Sequence, residues 1–327
     1  MFAFDPYSPA VDADPFPLYA VLRDEHPCFY SEEARMWVLS RYADVLAAGL
    51  DWKTFSSAKG NLMTELPNRA GATLGTTDPP RHDRLRGLIQ HAFMKRNLEG
   101  LSDPIRRIAA DAAGSLRGRT EFEFIGEFSA IFTVRVLAAA LGLPLDDETT
   151  LREKAVLMVQ SDPVTRAKGP QHLAAYQWMQ DFAAAVIAER RTVAADPTRL
   201  PDAIEESLRF NTSAQRFRRN LQKDVSLHGR TMRAGEFVCL AYGAANRDER
   251  QFPNAAVYDL ARKPRGHLGF GGGVHACLGT QIARLSVKIA FEELHKVLPE
   301  YGRTSATLGW MPSSTFRSPL RLDLAVH

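Results

Sequence analysis

The sequence predicts a mainly α-helical chain with small β-sheets, and three observations carry that expectation. From residue 78 onward, apolar residues recur at helical spacing in one segment after another. The stretches rich in β-formers are short and bounded by glycine. Strands and helices do not alternate in the regular way that a parallel sheet demands.

The elements follow in order. A proline-rich entry (Pro6, Pro9, Pro15, Pro17) leads into a short helix ending near Glu25, then into strand-like pieces at Phe29–Tyr30 and Met36–Leu39. Asp78 reads as a helix N-cap, because Pro79 and Pro80 follow it in a first turn that does not need their amide hydrogens. Leu85, Leu88, Ile89, Ala92 and Phe93 continue that helix at the right spacing. Further helices are expected near Leu101–Leu116, Phe128–Leu141 and Thr149–Val159, and from Gln171 to about Arg191. After Arg209 the character changes. Asp224–His228 and Phe237–Ala241, set off by Gly229 and Gly235, suggest short hairpins. A glycine-rich loop then opens a long amphipathic helix over Leu278–Leu298, carried by Leu278, Ile282, Leu285, Ile289 and Leu294. Ser313–Val326 has strand character.

Composition narrows the function classes. The 327 residues are 45% hydrophobic and 24% charged, as in a folded globular protein. With 41 basic and 38 acidic side chains the net charge is +3, far from the concentrated basic surplus of a nucleic-acid binder. Cys28, Cys239 and Cys277 are the only cysteines. An odd and sparse set argues against a disulfide framework and for a reducing, cytoplasmic setting. The opening MFAFDPYSPAVDADPF has neither a basic n-region nor a continuous apolar run, so no signal peptide or membrane anchor is expected.

The most informative stretch is HLGFGGGVHACLGTQIARL, His267 to Leu285. It reads as a tight glycine loop that delivers one cysteine to the start of a helix. Gly271, Gly272 and Gly273 permit positive φ and let the backbone approach a flat ligand. A cysteine near a helix N-terminus is favoured as thiolate, which makes Cys277 a nucleophile or a metal ligand. A zinc site from His267, His275 and Cys277 lacks a CxxC partner cluster. A dinucleotide loop fails because no buried strand precedes the glycines and their spacing misses G-x-G-x-x-G. A cysteine buried in a turn is the plainest alternative, and composition alone favours it.

FGGGVHACLG, Phe270 to Gly279, resembles the haem-binding signature of the cytochrome P450 family, F-G-x-G-x-H-x-C-x-G, at every defined position. The resemblance implies that Cys277 is the proximal thiolate ligand of the iron of haem b, that Phe270 shields the sulfur and that His275 reaches a propionate. Gly271 and Gly279 are signature glycines of that loop. Such a ligand pushes electron density onto iron. AIEESLRF resembles the family's E-x-x-R helix through Glu206 and Arg209, and Arg262 matches the arginine that completes this structural network. Read without the family, Glu206 and Arg209 are an ordinary i,i+3 pair worth ~0.2–0.5 kcal/mol. DPPRHDRLR resembles the helix that meets the propionates, which assigns His82 and Arg86. These lie one helical turn apart on one face and suit a shared carboxylate. RRNLQKDVSLHG places Arg219 at the third propionate position. GAANRDERQF and STFRSPLRL also read like bacterial soluble members.

The resemblance spans nearly the whole chain and implies a single haem-binding domain over 1–327, with the P450 fold internally truncated. Family members carry further helices between the helix ending near Arg191 and the E-x-x-R helix. The longest crosses the distal face and bears an A-G-x-x-T-like stretch whose acid and alcohol help deliver protons. Here TVAADPTRLPDAIEE, Thr192 to Glu206, joins the two sides almost directly, and no A-G-x-x-T segment occurs elsewhere. A deletion junction is therefore expected near 192–200, and no proton-delivery residue is assigned. A lost helix of ~30 residues would be ~45 Å long. It would leave apolar faces uncovered. The implied activity is a monooxygenase inserting one oxygen atom from O2 into a small apolar organic substrate. The implied partners are a ferredoxin or flavodoxin carrying electrons from NAD(P)H. A non-catalytic haem-binding remnant is the alternative.

Overall fold

The computed structural model describes residues 2–66, 68–94, 98–141, 148–162, 165, 167–172, 175, 200–259, 262–298, 301–304 and 309–326. Helix α1 (Pro9–Ala13) is capped by Ser8, whose Oγ accepts the Ala10 amide at 3.2 Å. Helix α2 (Phe16–Asp24) turns Tyr19 and Leu22 fully inward. Strands β1 (Cys28–Ser31) and β2 (Met36–Leu39) form an antiparallel hairpin that pairs Cys28 with Leu39 and Ser31 with Met36. Helix α3 (Tyr42–Leu50) follows, its first amide bonded to the Asp248 carboxylate at 2.9 Å, and then the short strand β3 (Phe55–Ser56).

The helical half begins with α4 (Arg81–Ile89) and α5 (Ser102–Gly114). Strand β4 (Glu121–Glu123) passes through a π-helical turn at Phe124–Ser129 into α6 (Ala130–Leu141), and α7 (Glu148–Val159) follows. Helix α8 (Leu200–Phe210) leads to β5 (Phe217–Leu221), the hairpin of β6 (Val225–Leu227) and β7 (Arg230–Met232), β8 (Phe237–Leu240) and the single-turn α9 (Tyr242–Ala245). Helix α10 (Thr280–Val297), β9 (Tyr301–Arg303) and β10 (Asp323–Val326) complete the order.

One sheet has the order β1-β2-β8-β5-β3 and a second has the order β4-β10-β9. The main helical core joins Ile105, Ala109 and Ala112 of α5, spaced at i, i+4 and i+7, to Phe128, Phe132 and Val136 and to Ile289 and Leu294 of α10. Burial of each large side chain contributes ~1.5–3 kcal/mol. The stretch Phe124–Leu141 is long and apolar enough to cross a membrane by length and composition. Its phenylalanines instead fill this core. A second cluster packs α3 against β2, β5 and β8 through Leu39, Val45, Leu221 and Val238. It forms the floor under the cysteine loop.

Several expectations need correction. Asp78 does not cap α4 with its side chain; its carbonyl accepts the His82 amide at 3.0 Å while its carboxylate turns elsewhere. Strand β8 joins no hairpin with residues 224–228, since it lies between β5 (antiparallel) and β2 (parallel). That parallel pair joins strands remote in sequence, which local alternation does not reveal. Over 313–326 only Asp323–Val326 is a named strand, with isolated bridges at Phe316 and Pro319. Helix α3 was not foreseen. The helix expected over 171–191 and the junction near 192–200 lie largely outside the described residues, with Leu200 already inside α8.

Candidate functional site

The cysteine loop is built by its glycines. Gly271 and Gly273 hold φ of +71° and +65°, whereas Gly272 is extended, so two of the three glycines use the left-handed region. Gly273 is the tighter position, because a Cβ there would lie 2.2 Å from the Gly49 carbonyl of α3. The turn closes through Gly271 N–H to Leu268 C=O (3.0 Å) and Cys277 N–H to Phe270 C=O (2.9 Å). Gly279 is the N-cap of α10, which puts Cys277 two residues ahead of the cap, and Thr280 Oγ1 donates to the Cys277 carbonyl at 2.7 Å. Cys277 is exposed, while Cys28 and Cys239 are buried and pushed up to about 11 and about 12 by that burial.

Four side chains expected at the propionates surround this loop. Arg86 of α4 donates to the carbonyls of Val274 (3.3 Å) and Ala276 (2.9 Å), fastening α4 to the residue before the cysteine. His82, one turn earlier, is buried and meets His275 edge to face. Arg219 of β5 is buried, donates to the Arg218 carbonyl at 2.8 Å, and its charge disfavours protonation of His275. His82 Nε2 and His275 Nδ1 are both buried without a protein partner. A buried polar atom left unpaired costs ~1–3 kcal/mol. Asp83 and Asp78 already take one nitrogen of each ring, so the second donates to the oxygen of an acidic ligand only when the ring carries both protons, a form that a bound anion favours. These residues therefore suit an anionic group at the cysteine loop.

Asp78 completes the cluster. Its carboxylate accepts from the Ser57 amide (3.1 Å), the Ser56 hydroxyl and His275 Nε2 (3.4 Å). Burial alone would raise its carboxyl, but hydrogen bonds from His275, Ser56 and Ser57 outweigh it and hold Asp78 below the usual carboxylate range. Burial lowers His275, opposed by its bond to Asp78 and reinforced by the charge of Arg219. The imidazole is therefore neutral near pH 7.

Below the loop, Glu206 and Arg209 are fully buried and joined by two bonds of 2.7 and 2.8 Å. Arg209 also donates to the carbonyls of Asn246 (2.8 Å) and Ala255 (2.9 Å). Arg262 Nε reaches Glu206 at 3.1 Å, and its other nitrogens hold the carbonyls of Pro253, Asn254 and Val257. Burial excludes an ordinary exposed i,i+3 pair: this network staples residues 253–259 and Arg262 to α8.

His267 does not join a metal set. Its Nε2 meets Glu205 at 3.0 Å and its Nδ1 accepts the Gly269 amide at 3.1 Å. Among the described residues no group of three His, Cys, Asp or Glu could hold a metal ion. The sequence reading missed Asp78 as a site residue, Glu205 and Gly49. The doubled glutamate of AIEESLRF was the available signal for Glu205, but which loop it faces is a tertiary fact.

A family model described as Cytochrome P450 matches residues 198–296, from α8 through the cysteine loop into α10. Cytochrome P450 130 of Mycobacterium tuberculosis is 28% identical over 387 residues, covering 96% of this chain and 95% of that protein. That alignment is 60 positions longer than the 327-residue chain itself. A beta-dihydromenaquinone-9 omega-hydroxylase of the same species is 28% identical over 395 residues, covering 99% of this chain and 78% of that protein. Among solved structures, cytochrome P450 CYP109Q5 from Chondromyces apiculatus shares the fold with a TM-score of 0.82 at 23% identity, covering 99% and 98% of the two chains.

A mainly helical fold whose glycine loop presents an exposed cysteine near buried His82 and Arg219 has the residues that a thiolate-ligated haem protein requires. The family model, curated relatives along nearly the whole chain and the shared fold together support a member of the cytochrome P450 family. By resemblance to its relatives it is a monooxygenase of that family.

Proposed function

We propose that this chain is a cytoplasmic haem-thiolate monooxygenase that inserts one oxygen atom of O2 into a small apolar organic substrate. The second oxygen atom leaves as water, with two electrons and two protons consumed. The electrons come from NAD(P)H through a ferredoxin- or flavodoxin-type donor. The haem supplies O2 activation, and the chain's residues bind and orient it. Cys277 ligates the iron, and Phe270 shields its sulfur. His82, Arg86, Arg219 and His275 hold the propionates. Gly271 and Gly279 let the loop pass close to the macrocycle. Glu206, Arg209 and Arg262 keep the loop's foundation rigid.

The observation that carries this reading is the pair of orphaned nitrogens on His82 and His275 beside an exposed thiol. Reduced protein under carbon monoxide is the test. A red-shifted Soret band, absent in Cys277→Ala, is expected; no such band in the wild type overturns the assignment. Turnover is tested separately, by coupled NADPH consumption and oxygenated product with a ferredoxin and its reductase.

A second reading, a haem-binding remnant without catalysis, is favoured by specific observations. The excess of 60 alignment positions is what an internal deletion in a single domain would produce; its junction near 192–200 rests on the sequence alone. Leu88 of α4 is 76% exposed, an apolar face of the kind a lost helix would leave. Haem uptake with only peroxide released would favour the remnant; product formed at the rate of electron supply would exclude it.

A further inference from the structure

We propose that Glu205 is a positioning residue that fixes the cysteine loop, by holding its entry at His267 and its exit at Arg284 with one carboxylate. The inference rests on the haem-thiolate reading only for its functional consequence; the geometry stands without it.

Glu205 Oε2 meets His267 Nε2 at 3.0 Å, and both carboxylate oxygens accept from the Arg284 guanidinium. Residues 267 and 284 bracket the segment that contains Cys277. Each flank then transmits the constraint inward. His267 Nδ1 accepts the Gly269 amide at 3.1 Å, which with the Nε2 contact requires the Nε2–H tautomer. Gly269 itself is pressed on α8, because a Cβ there would lie 2.9 Å from the Leu208 carbonyl. On the other flank the Arg284 guanidinium carbon sits 4.9 Å from the centre of the Phe270 ring. Both routes end at Phe270, whose carbonyl accepts the Cys277 amide at 2.9 Å. Burial would raise the Glu205 carboxyl, but hydrogen bonds from Arg284 and His267 outweigh it and hold it at about 2, so it is anionic across the physiological range. Glu205 touches neither the thiol nor the residues expected at the propionates. It acts through Phe270.

The test uses the full chain, first without haem and then reconstituted. In Glu205→Gln, amide exchange over residues 268–279 should accelerate about tenfold, while exchange over the β1–β2 hairpin stays unchanged. Arg284→Lys keeps the charge but not the two-pronged contact and should fall between. In the reconstituted proteins, the share of reduced carbonyl complex with the red-shifted band should drop at least twofold in Glu205→Gln, again with Arg284→Lys intermediate. Unchanged exchange and spectrum overturn the proposal. So does exchange that rises equally in the hairpin, or alkylation of Cys28 and Cys239 in the variants, since either shows a general loss of structure. If the wild type shows no red-shifted band, the haem-thiolate reading fails, and the exchange measurement still decides the role of Glu205.

Discussion

His82 and His275 meet with ring centroids 4.7 Å apart and an interplanar angle of 66°, and each buries one ring nitrogen that no protein group satisfies. Two unsatisfied buried nitrogens side by side are costly to a fold that gains nothing from them. Replacing His82 with leucine removes one such cost at similar volume. His82→Leu should therefore leave the thermal midpoint of the haem-free protein unchanged or raise it. Haem affinity should fall about tenfold, the ~1.4 kcal/mol of one lost hydrogen bond to an anion. Differential scanning fluorimetry and haem titration measure the two effects. A variant that loses stability and keeps haem affinity would show that His82 serves packing alone.

The two left-handed glycines of the loop should respond differently. At Gly271 the nearest atom to an added Cβ is 3.8 Å away, so alanine meets only the backbone penalty of positive φ, ~1 kcal/mol. At Gly273 the same methyl would collide with the Gly49 carbonyl 2.2 Å away, and both backbones would have to part. Gly273→Ala should cost at least ~2–3 kcal/mol and Gly271→Ala about half of that or less. Urea unfolding of the two variants checks the order. Equal costs would mean that conformational strain, not contact with α3, sets the loop's position.

This contrast shows where sequence reading stops. The signature Phe270–Gly279 announces the cysteine loop because its glycines and its thiol are local in the chain. Which glycine is indispensable depends on Gly49, more than 200 positions earlier, on a helix whose alanine-rich stretch YADVLAAGL gave a weak amphipathic signal. The same holds for the parallel pairing of β2 with β8 and for the turn of the Asp78 carboxylate toward Ser56 and His275. Periodicity finds elements; it does not say which of them touch. Glu206 and Arg209 were legible as a pair, but their complete burial was not, and burial changes their value.

A buried ion pair becomes costly when one partner is removed. Arg209→Ala would leave the buried Glu206 carboxylate only Arg262 and the Asp259 amide as partners and strip the carbonyls of Asn246 and Ala255 of their donor. A loss of ~3–5 kcal/mol is expected, a large part of the ~5–15 kcal/mol that holds a domain together. Arg209→Lys should fare little better, because one ammonium cannot reproduce a fork that serves a carboxylate and several carbonyls at once. Soluble yield and the denaturant midpoint report the outcome. A lysine variant with wild-type stability would show that charge alone is required.

Glu205 makes a prediction about acid. Its carboxyl ordinarily titrates near 4.5 and is held at about 2 in the fold, where hydrogen bonds from Arg284 and His267 overcome the effect of burial. A depressed carboxyl contributes stability that is fully present above the unfolded value and is lost as pH falls toward the folded one. The window is therefore pH 4.5 down to 2. The full contribution is at most about 3.4 kcal/mol, since each unit of displacement is worth ~1.36 kcal/mol. The stability gap between wild type and Glu205→Gln should be widest at pH 6 and about half as large at pH 3. Other carboxylates titrate in both proteins and cancel in the difference. Urea titrations at the two pH values measure the gap. If it is the same at both, Glu205 stabilises the loop by shape and hydrogen-bond count, and its charge contributes nothing.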